Sequence, residues 1–372
     1  MHNPLPGSPT PALRTRGVAE NPTNRFERLA YEADLEFLED ELREDEPDAE
    51  ATAKIPPTVY LRDPSKQPLS FNESPDLPFR ASLNPYRGCA HGCVYCYARP
   101  THEYLGFSAG LDFETRILVK EDLPALLRKA LSSPRWQPQV VAISGVTDAY
   151  QPIDRQTRLT RRCLEVFVEF RNPVAIVTKS SLVVRDADLL AELAAHDAAR
   201  VFVSITTLDR ALHRVMEPRA AAPSQRLAAI EALAKVGIPV GVMVAPVIPG
   251  LTDHEAPAIV EAASRAGACT ARHLMLRLPH GNKQLFEAWL ERHFPERKDK
   301  VMNRVRAMRG GKLNDSRFHQ RMRGSGFFAD QTHAVFELAC RRAGLSEDMP
   351  EASTAAFRRP PEPQLSLFGA QS

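Results

Sequence analysis

The chain has no run of about 18 consecutive apolar residues, the length a membrane-spanning helix needs, so no membrane span is expected. Its start, Met1-His2-Asn3-Pro4-Leu5-Pro6, lacks the apolar stretch of a secretory signal. These two absences predict a soluble, cytoplasmic protein. Aromatic residues make up only 7% of the 372, too few for a fold held together mainly by ring packing. No internal repeat of fixed period is present. Proline is scarce in the middle of the chain: residues 1–100 and 350–372 hold 18 of the 31. The ends therefore read as extensions and the interior as the folded part.

The net charge is +2, but the sign is unevenly spread. Residues 32–50 carry eleven acidic side chains against one arginine, and residues 292–323 carry eleven Lys or Arg against three acids. The acidic run reads as a tail with at most an exposed helix over 26–46, ended by Pro47. The basic run lies in a partly apolar segment and is a candidate phosphate-binding surface, with a solvated helix face as the plain alternative.

From about residue 84, short β-rich runs alternate with helical patterns. The runs are 140–143, 174–177, 201–205, 240–244 and 272–276, preceded by a first strand near Leu83–Arg87. The helical patterns cover 121–131, 157–171, 185–197, 222–236 and 254–267, with Gly237 and Gly267 as candidate helix ends. Nearly continuous apolar strands spaced by helices predict a parallel sheet covered by helices. Six such units are fewer than the eight of a closed barrel, so the expected fold is α/β: an open partial (βα)6 TIM-like barrel with disordered N- and C-terminal extensions. Its ligands should bind at the C-terminal ends of the strands. The expected division is 1–57 as an acidic N-terminal region, 58–282 as the barrel, 283–348 as a basic helical extension and 349–372 as a tail.

Three of the six cysteines fall within eight residues, as Cys89-x3-Cys93-x2-Cys96. A disulfide framework is not expected in a cytosolic chain. Structural zinc wants four ligands, and Cys163, Cys269 and Cys340 stand apart in contexts that suit small core residues. A [4Fe–4S] cluster takes three thiolates from one tight loop and keeps its fourth iron open.

The spacing, with Tyr95 before the last cysteine, resembles the signature loop of the radical S-adenosylmethionine (SAM) superfamily, whose partial barrel also has six units. The resemblance covers about residues 80–280. It implies that Cys89, Cys93 and Cys96 hold a [4Fe–4S] cluster and that SAM chelates the open iron. One electron then cleaves the sulfonium C–S bond, and the 5′-deoxyadenosyl radical removes a substrate hydrogen. It implies cofactor contacts at Tyr95, near the adenine, and at Asp148, Lys179 and Ser204 after successive strands. An electron donor such as a flavodoxin or ferredoxin is implied too.

Within the superfamily the pattern is similar to spore photoproduct lyase, which repairs a crosslinked thymine pair in DNA. One departure matters: Gly145, in Ser144-Gly145-Val146-Thr147-Asp148, stands where that enzyme carries its hydrogen-donating cysteine. The same lyase reaction is therefore in doubt, and the catalytic residues are unknown; Tyr97 and Tyr150 are as well explained by packing.

Arg304–Lys312 and Arg317–Phe328 interleave cations with aromatics and glycines, a composition suited to phosphate contacts and base stacking. Gln364-Leu365-Ser366-Leu367-Phe368, behind Pro360, Pro361 and Pro363, matches the pentapeptide that docks on the DNA sliding clamp. The expectation is a radical SAM enzyme acting on DNA. The alternatives are the same chemistry on RNA or protein, or a non-catalytic, zinc-stabilised nucleic-acid-binding protein.

Overall fold

The computed structural model describes residues 16–26, 56–346 and 348–360. Ten strands run in the order β1 (Val59–Arg62), β2 (Leu69–Phe71), β3 (Ala81–Leu83), β4 (Tyr86–Arg87), β5 (Arg116–Val119), β6 (Val141–Ile143), β7 (Val174–Thr178), β8 (Ala199–Ser204), β9 (Val240–Val247) and β10 (Thr270–Met275). A seven-stranded sheet has the order β10-β9-β8-β7-β6-β3-β2. Its strands are parallel from β3 through β10, and only β2 pairs antiparallel, with β3. These are the six parallel strands of the expected open partial barrel, and its two edges, β10 and β2, do not meet.

The first strand differs from expectation. It ends at Leu83; after Asn84 and Pro85, residues Tyr86–Arg87 pair with β5 in a separate sheet ordered β1-β5-β4. Proline has no N–H for a ladder, so the chain changes sheets there.

Alternate strand residues divide the packing. Val174, Ile176, Val201, Val203, Val240 and Val242 join Leu164, Phe167, Leu193, Ile230, Leu233 and Ile259 of the covering helices in the main core. The helical segment expected over 157–171 is broken at Arg158, where φ is +48°, into Asp154–Thr157 and Leu159–Phe170. Gly237 and Gly267 have φ of +77° and +93°, as helix ends require.

Described residues of the expected extension 283–348 pack into the barrel. Helices Asn282–His293 and Pro295–Ala307 put Phe286, Trp289, Leu290 and Val301 into a second apolar cluster with Val94, Tyr95 and Met216. Helix Phe327–Ala343 packs through Phe336 and Cys340 onto the main core.

Two stretches expected as loose ends lie on the domain. Val18 is buried in the second cluster, and Asn24 Nδ2 donates to the Glu103 carbonyl at 2.9 Å. At the other end, Arg200 Nε donates to the Pro350 carbonyl at 2.7 Å, and Phe357 packs against the main core. The acidic run 32–50 and Gln364–Phe368 lie outside the described residues. Among the described residues no helix is long and apolar enough to cross a membrane.

Candidate functional site

The cysteine loop follows β4 and is fixed at every few residues by groups distant in sequence. Cys89 N–H donates to the Phe113 carbonyl at 2.9 Å, and Val94 N–H to Met216 at 3.1 Å. Ala90 N–H donates to Gln151 Oε1 at 2.9 Å, and Asn282 Nδ2 to the Cys96 carbonyl at 2.7 Å. Arg99 closes the loop from below: Nε and Nη2 donate to the Cys93 carbonyl at 3.1 and 2.9 Å, while Nη2 also pairs with Glu114. Both charges are fully buried. Gly92 allows this closeness. Its φ is +69°, and an added Cβ would stand 2.6 Å from Glu114 Oε2.

Cys89 and Cys93 are buried, Cys96 is half-buried, and all three are free thiols. Burial, reinforced by the Glu217 carboxylate, raises the Cys93 thiol, and burial raises Cys96. Such thiols give up their protons readily only to a cationic centre. Among the described residues no three His, Cys, Asp or Glu side chains converge on a point for one ion. Three thiols on one short loop are a donor set that suits a group taking one thiolate at each of three irons.

The other sequence candidates fall into two groups. Tyr95, Lys179 and Ser204 cluster around a buried ion pair. The Tyr95 hydroxyl lies 3.0 Å from Thr206 Oγ1 and donates to Glu217, whose carboxylate also meets Arg226. Although burial opposes it, Arg226 and Lys179 hold the Glu217 carboxyl down at about 2. Lys179 Nζ lies 5.6 Å from the Tyr95 ring centroid and 3.4 Å from the Ala245 carbonyl oxygen. Ser204 closes β8 on the same strand face as Phe202, away from Val201 and Val203, and its carbonyl accepts from Arg226 Nη1 at 2.9 Å.

Asp148 forms a different cluster on the other side of Lys179. Its Oδ1 accepts from Thr178 Oγ1 at 2.7 Å and Tyr150 N–H at 2.9 Å, and its Oδ2 from Lys179 N–H at 2.7 Å. His91 Nδ1 stands 3.5 Å from Oδ2. Against the cost of burial, Asp148 and Cys89 push His91 up to about 10, and His91 with the N–H and O–H donors brings Asp148 down to about 2. The carboxylate ties the turn after β6 to the end of β7.

Glu217, Arg226, Arg99, Glu114 and Gln151 were not picked out from the sequence. Only Arg226 left a visible sign: it shares the helix Pro223–Lys235 face of Ala229, Ile230 and Leu233, an arginine at a core position.

The basic run 292–323 is not one open face. Arg304 pairs with Asp253 at 3.1 Å, Arg317 with Asp315 at 2.7 Å, Arg321 with Asp76 at 2.6 Å and Lys298 with Glu291 at 2.6 Å. Arg309 is buried, donating to the carbonyls of Leu276 and Gln320 at 2.8 and 2.7 Å.

A model of the family described as "Radical SAM superfamily" matches residues 83–263. An uncharacterized protein of Mycobacterium tuberculosis is 40% identical over 222 residues, 59% of this chain and 65% of the relative. The chain thus matches less than two thirds of that relative's length. An uncharacterized protein of Methanocaldococcus jannaschii is 30% identical over 191 residues, 51% of this chain and 68% of the relative. Among solved structures, a spore photoproduct lyase variant with bound AdoMet and dinucleoside spore photoproduct shares the fold. Its TM-score is 0.51 at 17% identity, over 77% of this chain and 79% of that one. The chain belongs to the radical SAM superfamily, whose members work with a [4Fe–4S] cluster and S-adenosylmethionine.

Proposed function

We propose that this protein binds a [4Fe–4S] cluster through Cys89, Cys93 and Cys96, cleaves SAM reductively and removes a hydrogen atom from a base in DNA. The observation that carries the reading is the set of three free, largely buried thiols on one braced loop at the C-terminal ends of six parallel strands. Cluster and SAM together supply a carbon-centred radical; the chain supplies binding, orientation and exclusion of water. The Lys179 ammonium, next to Tyr95 and within the field of Cys93, is suited to pairing with the SAM carboxylate. The Ser204 hydroxyl is suited to a ribose oxygen, and the Tyr95 ring to the adenine side. Asp148 keeps the Lys179 backbone in place, a positioning role through Lys179 N–H.

DNA as the substrate is favoured by the fold shared with spore photoproduct lyase, and by Gln364–Phe368, which we propose docks on the sliding clamp in the cytoplasm. Within the basic run, Arg292, Lys300, Arg306 and Lys312 are the cations proposed to steer the duplex. Gly145 supplies no thiol, so the product radical is quenched differently than in the lyase. An acidic one-electron carrier such as a flavodoxin or ferredoxin is the proposed reductant.

The test is anaerobic reconstitution with iron and sulfide, followed by assay of 5′-deoxyadenosine release under a strong reductant, with and without ultraviolet-irradiated DNA. Release by the wild type and none by Cys96→Ala is expected, with stimulation by the irradiated DNA. No release from a protein that holds its cluster overturns the proposal. Stimulation by RNA or a protein extract in place of DNA overturns the choice of substrate.

A further inference from the structure

Arg277 follows the C-terminal end of β10, at the rim where the cysteine loop lies. Its guanidinium carbon stands 4.3 Å from the centroid of the Tyr97 ring, so the cation caps the residue immediately after Cys96. The Tyr97 hydroxyl in turn donates to the Gly145 carbonyl, just past β6. Arg277, Tyr97 and Gly145 thus form an arc beside Cys96.

Two features make the arc a receptor rather than packing. At Gly145, where φ is +126°, an added Cβ would meet no atom within 4 Å, so the space beside the arc is open. Arg277 has no ion pair or side-chain hydrogen bond among the described residues, although burial has stripped part of its water. Asp76, the carboxylate that influences it, is already engaged by Arg321 Nε and by the His319 N–H, each at 2.6 Å. A partly desolvated guanidinium without an anion is a fork waiting for one. The ring beneath it keeps the fork in position and leaves its N–H edges available.

We propose that Arg277 receives a phosphodiester of a nucleic-acid substrate and so sets the neighbouring base in the open space beside Gly145, next to the Tyr97 arc. The assignment rests on the nucleic-acid reading above and names the group by which this site would grip the strand. A phosphodiester fits better than a lone carboxylate because it repeats along a strand that the other exposed cations can follow.

The experiment measures binding of a short labelled single-stranded oligodeoxynucleotide to the reconstituted, SAM-loaded protein by fluorescence anisotropy across a salt series. Arg277→Gln is expected to weaken binding about tenfold and to reduce the slope of log K against log salt by about 0.7, one phosphate contact. Arg277→Lys should keep the slope and recover part of the affinity, since the charge remains and the fork is lost. Arg265→Gln removes an exposed cation paired with Glu261 on an outer helix, and should change neither quantity. Matching thermal melts for all variants show that each is folded.

Unchanged affinity and slope in Arg277→Gln overturn the assignment. So does a wild type that ignores the oligonucleotide and binds an acidic peptide instead. Release of 5′-deoxyadenosine is read on the same preparations. Release without oligonucleotide binding removes the role of Arg277 and spares the radical chemistry; Arg277-dependent binding without release does the reverse.

Discussion

Arg99 donates two hydrogen bonds to the carbonyl oxygen of Cys93, at 3.1 and 2.9 Å, from a position with no exposure to solvent. Its charge is balanced by Glu114, which also accepts from Gly17 N–H at 3.0 Å. The loop that carries the cysteines is thus fastened to the helix Leu111–Thr115 and to the N-terminal segment through one ion pair. Removing one member strands the other charge in the interior, which costs far more than the pair contributes. Arg99→Met is expected to lower unfolding free energy by about 3–5 kcal/mol in urea titrations. Adding Glu114→Leu should recover part of that loss. A single variant as stable as the wild type would mean that the pair does not brace the loop.

Lys179 offers a sharper functional test, because among the described residues its ammonium has one hydrogen-bond partner, the Ala245 carbonyl at 3.4 Å, beside the Tyr95 ring and within the field of Glu217. Lys179→Met keeps the length of the stem and removes the charge. SAM affinity of the cluster-loaded protein, measured by equilibrium dialysis, should fall about tenfold, the worth of one charge-assisted hydrogen bond. Equal affinity in the two proteins would move the carboxylate contact elsewhere.

For Asp148 the expectation is different, since the carboxylate is already occupied by Thr178, Lys179 N–H and Tyr150 N–H. An amide in its place must turn an NH2 toward donors. Asp148→Asn should therefore cost about 1–3 kcal/mol of stability and alter SAM binding only through the misplaced loop after β7. Differential scanning calorimetry beside the same dialysis separates the two. A large loss of SAM affinity with an unchanged melt would make Asp148 a direct ligand contact.

These contrasts show where the sequence was legible. The parallel strands could be read because most are short, largely apolar runs spaced by helical patterns, and the cysteine loop because three soft ligands on a short loop narrow the chemistry. What could not be read are pairings that join distant parts of the chain. Nothing local tells Tyr86 that its hydroxyl will meet Asp154 Oδ1 at 2.6 Å, or that the same oxygen will take Thr160 N–H at 3.0 Å and break a helix at Arg158. Glu217 and Arg226 are nine positions apart, and their pair also takes in Tyr95 and Ser204 from other elements. The pairing inside the basic run was hidden for the same reason. A count of cations does not show that Asp76 and Asp253 lie opposite them.

Acid should weaken the fold through His273, on β10 and remote from the cysteine loop. Its ring packs on Phe336 with centroids 4.2 Å apart and meets His333 edge-on at 4.4 Å, and Nε2 has no hydrogen-bond partner among the described residues. Burial, with the nearby His333 and Arg323, pushes its pKa down to about 3. In the unfolded chain the imidazole takes a proton near pH 6.5, while in the folded chain it stays neutral until far lower pH. Stability attributable to this neutral ring is therefore complete above pH 6.5 and drains as pH falls toward 3. By pH 5 the loss is about 2 kcal/mol, before most carboxylates titrate. His273→Phe, which keeps a ring against Phe336 and cannot charge, should flatten urea-derived stability between pH 7 and 5 relative to the wild type. Identical slopes in the two proteins over that window would show that His273 is hydrated and free to take its proton in the native state.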